Sequence, residues 1–184
     1  VSPGRTGLDS AADDWLIAKA KEGTPDAYEE LVRRHRDRIY RIALRMVGNP
    51  HDAEDVAQDV VLTLWTALTG FSGDSMFTTW LYRIVVNRCL NLITRRRQHE
   101  PLEDPSLATA PGADMQAVAR GKARAALDAV TALPPDLRAA VVLVDVEQMR
   151  YAEVATILNV SEATVRGRLA RGRRTLLGTL REWT

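Results

Sequence analysis

Apolar side chains recur along this chain at spacings of three and four residues, a period that predicts helix in almost every segment. Trp15, Leu16, Lys19 and Ala20 keep helical spacing up to Gly23, after which Thr24-Pro25 supplies an N-cap and a first-turn proline. Tyr28, Leu31, Val32, His35, Ile39, Ile42, Ala43 and Met46 continue the period to Gly48, which suits the left-handed position past a helix end. Asn49-Pro50 opens the next helix, with Ala53, Val56, Ala57, Val60, Leu64, Trp65 and Leu68 inward. A short loop at 69–74 leads into a helix over 77–97, whose closing Arg95-Arg96-Arg97 complements the C-terminal end of the helix dipole.

From His99 to about Gly112 the period dissolves into a Pro-, Ala- and acid-rich stretch that reads as a linker. Helices resume near Met115, and Pro134-Pro135 starts another with Leu137, Ala140, Val141 and Val144 on one stripe. Its VVLV run could pass for a strand, but the Pro-Pro-Asp entry and the neighbouring helices favour helix. The expected fold is all-α, two small helical domains joined by a flexible linker. The expected boundaries are a tail and first helix at 1–24, an N-terminal bundle at 25–97, a linker at 98–114 and a helix-turn-helix domain at 115–184.

The last domain carries the most specific pattern. A helix from Tyr151 to Leu158 meets a three-residue corner, Asn159-Val160-Ser161, and a second helix follows. Asn tolerates the left-handed conformation, Val160 points back into the angle between the helices, and Ser161 can cap the second helix, with Thr164 in place of a full capping box's Glu. Val165, Leu169, Gly172 and Leu176 form the inward stripe, and Ala155 is small where the first helix approaches closely. This is the arrangement whose second helix enters a DNA major groove. Its outward face holds Glu162, Ala163, Arg166, Gly167, Ala170, Arg171 and Arg174, with Arg168 on the flank. Such arginines can pair with guanine edges or grip phosphates, although an ordinary surface helix can also be Arg-rich.

Composition narrows the classes further. The 184 residues carry a formal net charge of +1, which excludes a uniformly basic coat but not a basic face. By segment the balance is −3 over 1–70, +3 over 71–100, −2 over 101–150 and +3 over 151–184. All but three of the basic residues are Arg, which a GC-rich genome explains most simply. A single cysteine, Cys89, excludes an internal disulfide and fits a reducing cytoplasm. No apolar run is long enough to insert in a membrane, and the first residues lack a secretory pattern. The leading Val points to an alternative start codon or a missing Met.

Two further clusters invite chemistry. Asp52, Glu54 and Asp55 lie in a helix's first turn with Asp59 one turn on, which is good helix chemistry in itself. As a metal site the cluster lacks a helical pair of histidines, and His51 reads as solvent-facing. With Gln58 the acids form an outward electronegative strip suited to a basic partner. On the helix 77–97, Arg83, Asn87 and Asn91 share an exposed face while Phe77, Trp80 and Ile84 lean inward. Aromatics beside Arg and Asn can hold unstacked bases of a single strand, and Trp80 serves equally well as a core residue.

At this point the chain resembles the bacterial RNA polymerase sigma factors of the extracytoplasmic-function (ECF) group of the sigma-70 family. The likeness rests on AYEELVRRHRDRIYRIALRMVGNPHDAEDVAQDVVLTLW and FTTWLYRIVVNRCLNLITRRR in the first domain, and on ALPPDLRAAVVLVDVEQMRYAEVATILNVSEATVRGRLARGRRTL in the second. Val61 stands where the family often has Phe, and Gly167 where Ser is common. The resemblance implies that Asp52, Asp55, Gln58, Asp59 and Leu62 face core RNA polymerase, through the coiled coil of its β′ subunit, with β a further partner. It implies that the loop at 69–76, with Trp80, Arg83, Asn87, Arg88 and Asn91, separates the strands and holds flipped −10 bases. Ser161, Glu162, Thr164, Arg166, Arg168 and Arg171 would read the −35 element of promoter DNA. The linker would thread toward the RNA exit path, and an anti-sigma factor clamping between the domains is expected. No catalytic residue, metal or cofactor is implied. The competing reading is a stand-alone helix-turn-helix regulator with an N-terminal dimerisation or sensing domain. A metal-dependent enzyme built on the acids at 51–59 is a remote third.

Overall fold

The computed structural model describes residues 12–99 and 115–181, so the predicted N-terminal tail and nearly all of the predicted linker lie outside the described residues. The helices are α1 (Asp13–Lys21), α2 (Pro25–Val47), α3 (Pro50–Ala67), α4 (Phe77–His99), α5 (Met115–Ala132), α6 (Pro135–Val141), α7 (Tyr151–Leu158) and α8 (Glu162–Arg181). A 3-10 turn, Leu68–Gly70, follows α3, and no strand occurs among the described residues.

The punctuation follows local chemistry. Gly48 takes φ +80° beyond α2 and donates its N–H to the Leu44 carbonyl at 2.8 Å, a left-handed end that strains any residue with a Cβ. Asn49 Oδ1 accepts from the backbone N–H of His51 at 2.8 Å, capping α3. Thr24 departs from expectation: it precedes α2 but its side chain makes no cap, and the helix starts on Pro25, which has no N–H to satisfy. The VVLV stretch is helical, but it widens into a π turn over Val142–Val146 in which the Glu147 N–H reaches the Val142 carbonyl at 2.9 Å.

In the first module α2 lies against α1, α3 and α4. Leu16, Leu31, Ile39, Ile42, Met46, Val60, Leu64, Leu81 and Val85 are buried there, each Leu or Ile contributing about 1.5–3 kcal/mol of apolar transfer. A charged network ties α1 to α2. Glu30 accepts from Arg33 at 2.7 Å and Arg34 at 2.6 Å, Arg34 also holds Asp13 at 2.8 Å, and His35 Nε2 meets Asp13 at 2.9 Å. In the second module Leu133, Val141 and Leu169 form a small apolar nucleus. Gly172 brings α8 onto α6, since a Cβ there would lie 2.7 Å from Val141 Cγ2.

The modules are also packed on each other, which the sequence pattern did not foretell. One apolar core runs from Leu16 through Cys89 to Ala139, Val142, Leu143, Val154, Ile157 and Val165. Arg38 of α2 pairs with Glu147 at 2.7 Å, and buried Arg138 of α6 donates to the Met46 carbonyl at the end of α2.

Two outcomes are expected. Gly172→Ala should destabilise the chain by about 1–3 kcal/mol in urea unfolding, because Val141 must give way. The Arg33 hydrogen bond, and then Arg34, lower the Glu30 carboxyl from 4.5 to about 2 despite its burial. Its stabilising contribution is therefore complete above its unfolded value and lost as pH falls through the folded one. The stability gap between the native chain and Glu30→Gln should close as pH is lowered from about 4.5 toward 2, measured by urea midpoints.

Candidate nucleic-acid and partner interfaces

Regular α3 geometry turns Asp55, Gln58, Asp59 and Leu62 to solvent together, with Leu62 74% exposed. Asp52 does not join them. It is buried and bound to Arg96 of α4 at 2.5 Å, so its carboxylate ties α3 to α4 and is turned away from the strip. Arg88, expected among the base-facing residues, instead leans across to this side: it donates to Thr63 Oγ1 at 3.0 Å and stands 3.9 Å from Asp59. His51 is exposed, 3.3 Å from Asp55, and its pKa is raised by a backbone hydrogen bond at its own position and then by the Asp55 charge.

Beside the acidic strip runs a groove of about 740 Å³ between α2 and α3. Arg36, Asp37 and Tyr40 line it opposite Glu54, Gln58 and Leu62. The α2 residues carried no signal in the sequence, because they become a wall only when α3 lies alongside. The groove gives the surface an apolar floor and charges of both signs, a combination suited to an amphipathic helical partner.

The second surface surrounds the start of α4. Phe71, Phe77 and Trp80 form an aromatic cluster, with Trp80 5.1 Å from Phe71 and 5.9 Å from Phe77 between ring centroids. Lys21 sits over the Phe71 ring at 5.5 Å and donates to its carbonyl, anchoring the loop to α1. Trp80 is half-buried, so it is at once a packing residue and a partly open ring face. Asn87 and Asn91 are exposed on α4, and Arg83 is half-buried with a hidden Nε.

The third surface is the helix-turn-helix. Asn159 adopts the left-handed conformation, φ 52° and ψ 50°, and the Val160 N–H reaches the Ala155 carbonyl at 3.0 Å, so the corner forms as its residues predict. Ser161 Oγ accepts the Thr164 N–H at 3.1 Å, which caps α8. Ion pairs sort the arginines of α8. Arg166 is braced by Glu162 at 3.0 Å and by the Tyr151 ring at 5.7 Å. Arg168, expected to reach DNA, is drawn back to Asp136 of α6 at 3.5 Å and is largely covered. Arg173 holds Asp145 through Nε at 3.0 Å. Arg171 and Arg174 are exposed, with no ion pair among the described residues. Around Gly167 the surface is open, with nothing within 4 Å of a Cβ placed there.

Among the described residues no cluster of His, Cys, Asp or Glu is arranged to hold a metal ion, and no described helix is long and apolar enough to cross a membrane. An acidic grooved face, an aromatic loop beside Asn and Arg, and a capped helix-turn-helix define a two-module helical protein of the DNA-recognising class. Comparison with known proteins is more specific. Residues 31–99 match the family model Sigma-70 region 2, and residues 123–176 match Sigma-70, region 4. The chain belongs to the sigma-70 family, in its ECF group.

Among curated relatives, it is 35% identical over 175 residues to the ECF RNA polymerase sigma factor SigE of Mycolicibacterium smegmatis, covering 86% of this chain and 63% of that one. It is 32% identical over 179 residues to the ECF RNA polymerase sigma factor SigW of Bacillus subtilis, covering 90% of this chain and 95% of the relative. Among solved structures, CnrH in complex with the cytosolic domain of CnrY superposes with a TM-score of 0.75 at 28% identity, over 95% of this chain and all of that one. The sigma factor RpoE of Bartonella quintana, bound to the anti-sigma factor NepR, shares the fold with a TM-score of 0.68 at 20% identity, over 84% of this chain and 96% of that one.

The division between buried and exposed acids is testable. Asp52→Asn should lower unfolding stability by about 1–3 kcal/mol, since it leaves Arg96 facing a poor partner. Asp55→Asn should change it by less than about 0.5 kcal/mol. Parallel urea titrations decide it.

Proposed function

We infer that this chain works as an alternative sigma factor, binding core RNA polymerase, directing it to particular promoters through −35 and −10 recognition, and assisting strand opening. The observation that carries this reading is the ordered pair of region 2 and region 4 matches on a chain whose helix-turn-helix offers an open arginine face. Residues 25–97 form the core-binding and −10 unit, and 115–184 the −35 unit.

Each surface takes one task. The strip of Asp55, Gln58, Asp59 and Leu62, with the groove beside it, receives the β′ subunit, and Asp52 supports it from inside by fixing α3 on α4. Trp80, Asn87, Asn91 and Arg83 receive the −10 strand. Stacking on an aromatic ring is worth about 1–3 kcal/mol per base, comparable to the few kcal/mol needed to extrude one. Opening is then driven by binding. No bond is made or broken, so the role needs no catalytic residue, metal or cofactor. On α8, Arg171 and Arg174 reach phosphates, Arg166 is pre-oriented by Glu162 and Tyr151 toward a base edge, and Arg168 fixes the helix on α6. Ser161 and Thr164 place the N-terminus of α8 against the backbone. The work is cytoplasmic, and an anti-sigma factor is the fitting regulator, as NepR is for the similar RpoE.

Reconstitution with purified core polymerase tests the function: added chain should give promoter-specific transcripts absent from core alone. Failure to bind core, or bound core with unchanged transcripts, sinks the reading, and a palindromic footprint by the chain alone would favour a free-standing regulator. Asp55→Lys with Asp59→Lys should weaken core binding by roughly tenfold or more while helical content and melting stay unchanged. Unchanged core affinity would remove α3 from that interface.

A further inference from the structure

The aromatic cluster assigned above to the −10 strand is held from two points, and both holds begin on the first helix. α1 lies against α2 and against the 3-10 turn Leu68–Gly70 that opens the loop. Asp13 stands in its first turn and Lys21 is its last residue, so the two are about 12 Å apart along the axis. Neither belongs to the loop, to α4 or to the acidic strip.

Lys21 makes the first hold. Its Nζ donates to the Phe71 carbonyl and lies over the Phe71 ring at 5.5 Å, so one ammonium fixes both the backbone and the side chain of a single loop residue. Phe71 is buried, while Ser72, Gly73, Asp74 and Met76 beyond it are exposed. The anchor therefore sits where the loop leaves the packed body of the module.

Asp13 makes the second hold through His35 of α2. An ionised carboxylate can only accept, so His35 Nε2, 2.9 Å from Asp13 Oδ2, carries the proton and donates. Arg34 binds the other oxygen of Asp13 at 2.8 Å, which keeps the carboxylate from turning away. The bond fixes the tilt of a largely covered imidazole. That ring meets Phe77 edge to face, with centroids 5.4 Å apart and planes at 67°. Phe77 in turn touches Phe71 at 5.8 Å, and Trp80 leans on both rings.

A ring binds an unstacked base more tightly when its face is already set, because binding then has less motion to freeze. Phe71 and Phe77 set the orientation of Trp80, and Lys21 and His35 set theirs. We propose that Lys21, and Asp13 acting through His35, are positioning residues for strand capture: they hold Phe71 and Phe77 so that Trp80 and the loop stand ready before the −10 strand arrives. This rests on the sigma-factor reading of that face. It gives α1 a task in promoter opening that is exerted through its neighbours.

Phe71 and Phe77 are the only phenylalanines in the chain, so 4-fluorophenylalanine labels these two rings alone and fluorine NMR reads them directly. The full chain is compared as native, Lys21→Met, Lys21→Arg and His35→Leu, with Phe71→Leu assigning the resonances. The native chain should give two resonances well away from that of the free amino acid. Lys21→Met should move the Phe71 resonance toward the free value, and His35→Leu should move that of Phe77. Lys21→Arg, which keeps a cation over the ring, should stay native.

Each chain is then joined to core polymerase and given a promoter fragment that the native holoenzyme transcribes, isolated from a random-sequence pool. The concentration dependence of strand opening separates initial promoter affinity from the opening rate. Lys21→Met and His35→Leu should slow opening by about fivefold or more, with core affinity and initial promoter affinity within about twofold of native. Lys21→Arg should open at the native rate. Native resonances in both Lys21→Met and His35→Leu would overturn the bracing. Displaced rings with an unchanged opening rate would overturn its part in strand capture. Equal losses of initial affinity and opening rate would mark general damage to the module and overturn it too. If His35→Leu does not fold, Lys21, whose side chain is exposed, decides alone. If the native holoenzyme transcribes nothing from the pool, the sigma reading fails, while the fluorine spectra still decide whether Lys21 and His35 set the rings.

Discussion

Arg138 is a cation that has almost lost contact with water, and the joint between the modules is arranged around it. Burial, and then the charge of Arg97, lower its pKa, and it stays in place because carbonyls surround it. That of Thr131 comes from the last turn of α5, that of Leu133 from the turn after it, and that of Met46 from the end of α2. The carbonyls in the last turn of a helix have no partner inside it and sit at the negative end of its dipole, so a guanidinium suits them. One side chain thereby closes the end of the long helix in the first module and fixes the turn between α5 and α6 in the second. Gly48 makes room beside it, since a Cβ there would lie 2.8 Å from Thr131 Cγ2.

Around that joint the near-zero net charge separates into surfaces of opposite sign. The exposed acids of α3 and the exposed arginines of α8 lie on different modules, and the charges between them are mostly used internally. Asp52 with Arg96, Asp136 with Arg168, Asp145 with Arg173 and Glu147 with Arg38 hold helices in place. In this chain an arginine's sequence position says little about its use. Whether a carboxylate waits behind it decides.

What the sequence revealed follows from the range of the forces involved. The Gly48 terminus, the Asn49 cap, the Asn159 corner and the Ser161 cap are encoded within a few residues, so each is visible as a local pattern. The inward stripe of α8 was legible for the same reason, and the motif strings carried the family. The internal contacts of Asp52, Arg88 and Arg168 were not legible because their partners are 44, 25 and 32 positions away in the chain, beyond any periodicity. The wall of Arg36, Asp37 and Tyr40 was missed because one helix cannot show a groove made by two. The packing of module on module rests on pairs about a hundred residues apart, and helical spacing carries no trace of it.

The π turn at Val142–Val146 has a mechanical side. Asp145 within it is held by Arg173 of the recognition helix, and Glu147 just past it is held by Arg38 of the first module. Two residues of backbone therefore separate the point where α8 is moored from the point where the modules are moored. In an unbroken α-helix the register would differ by one residue, turning Glu147 by about 100° away from its cations. A tug on α8 is delivered almost directly onto that second mooring. The widened turn is a short, stiff lever between the two ends of the protein.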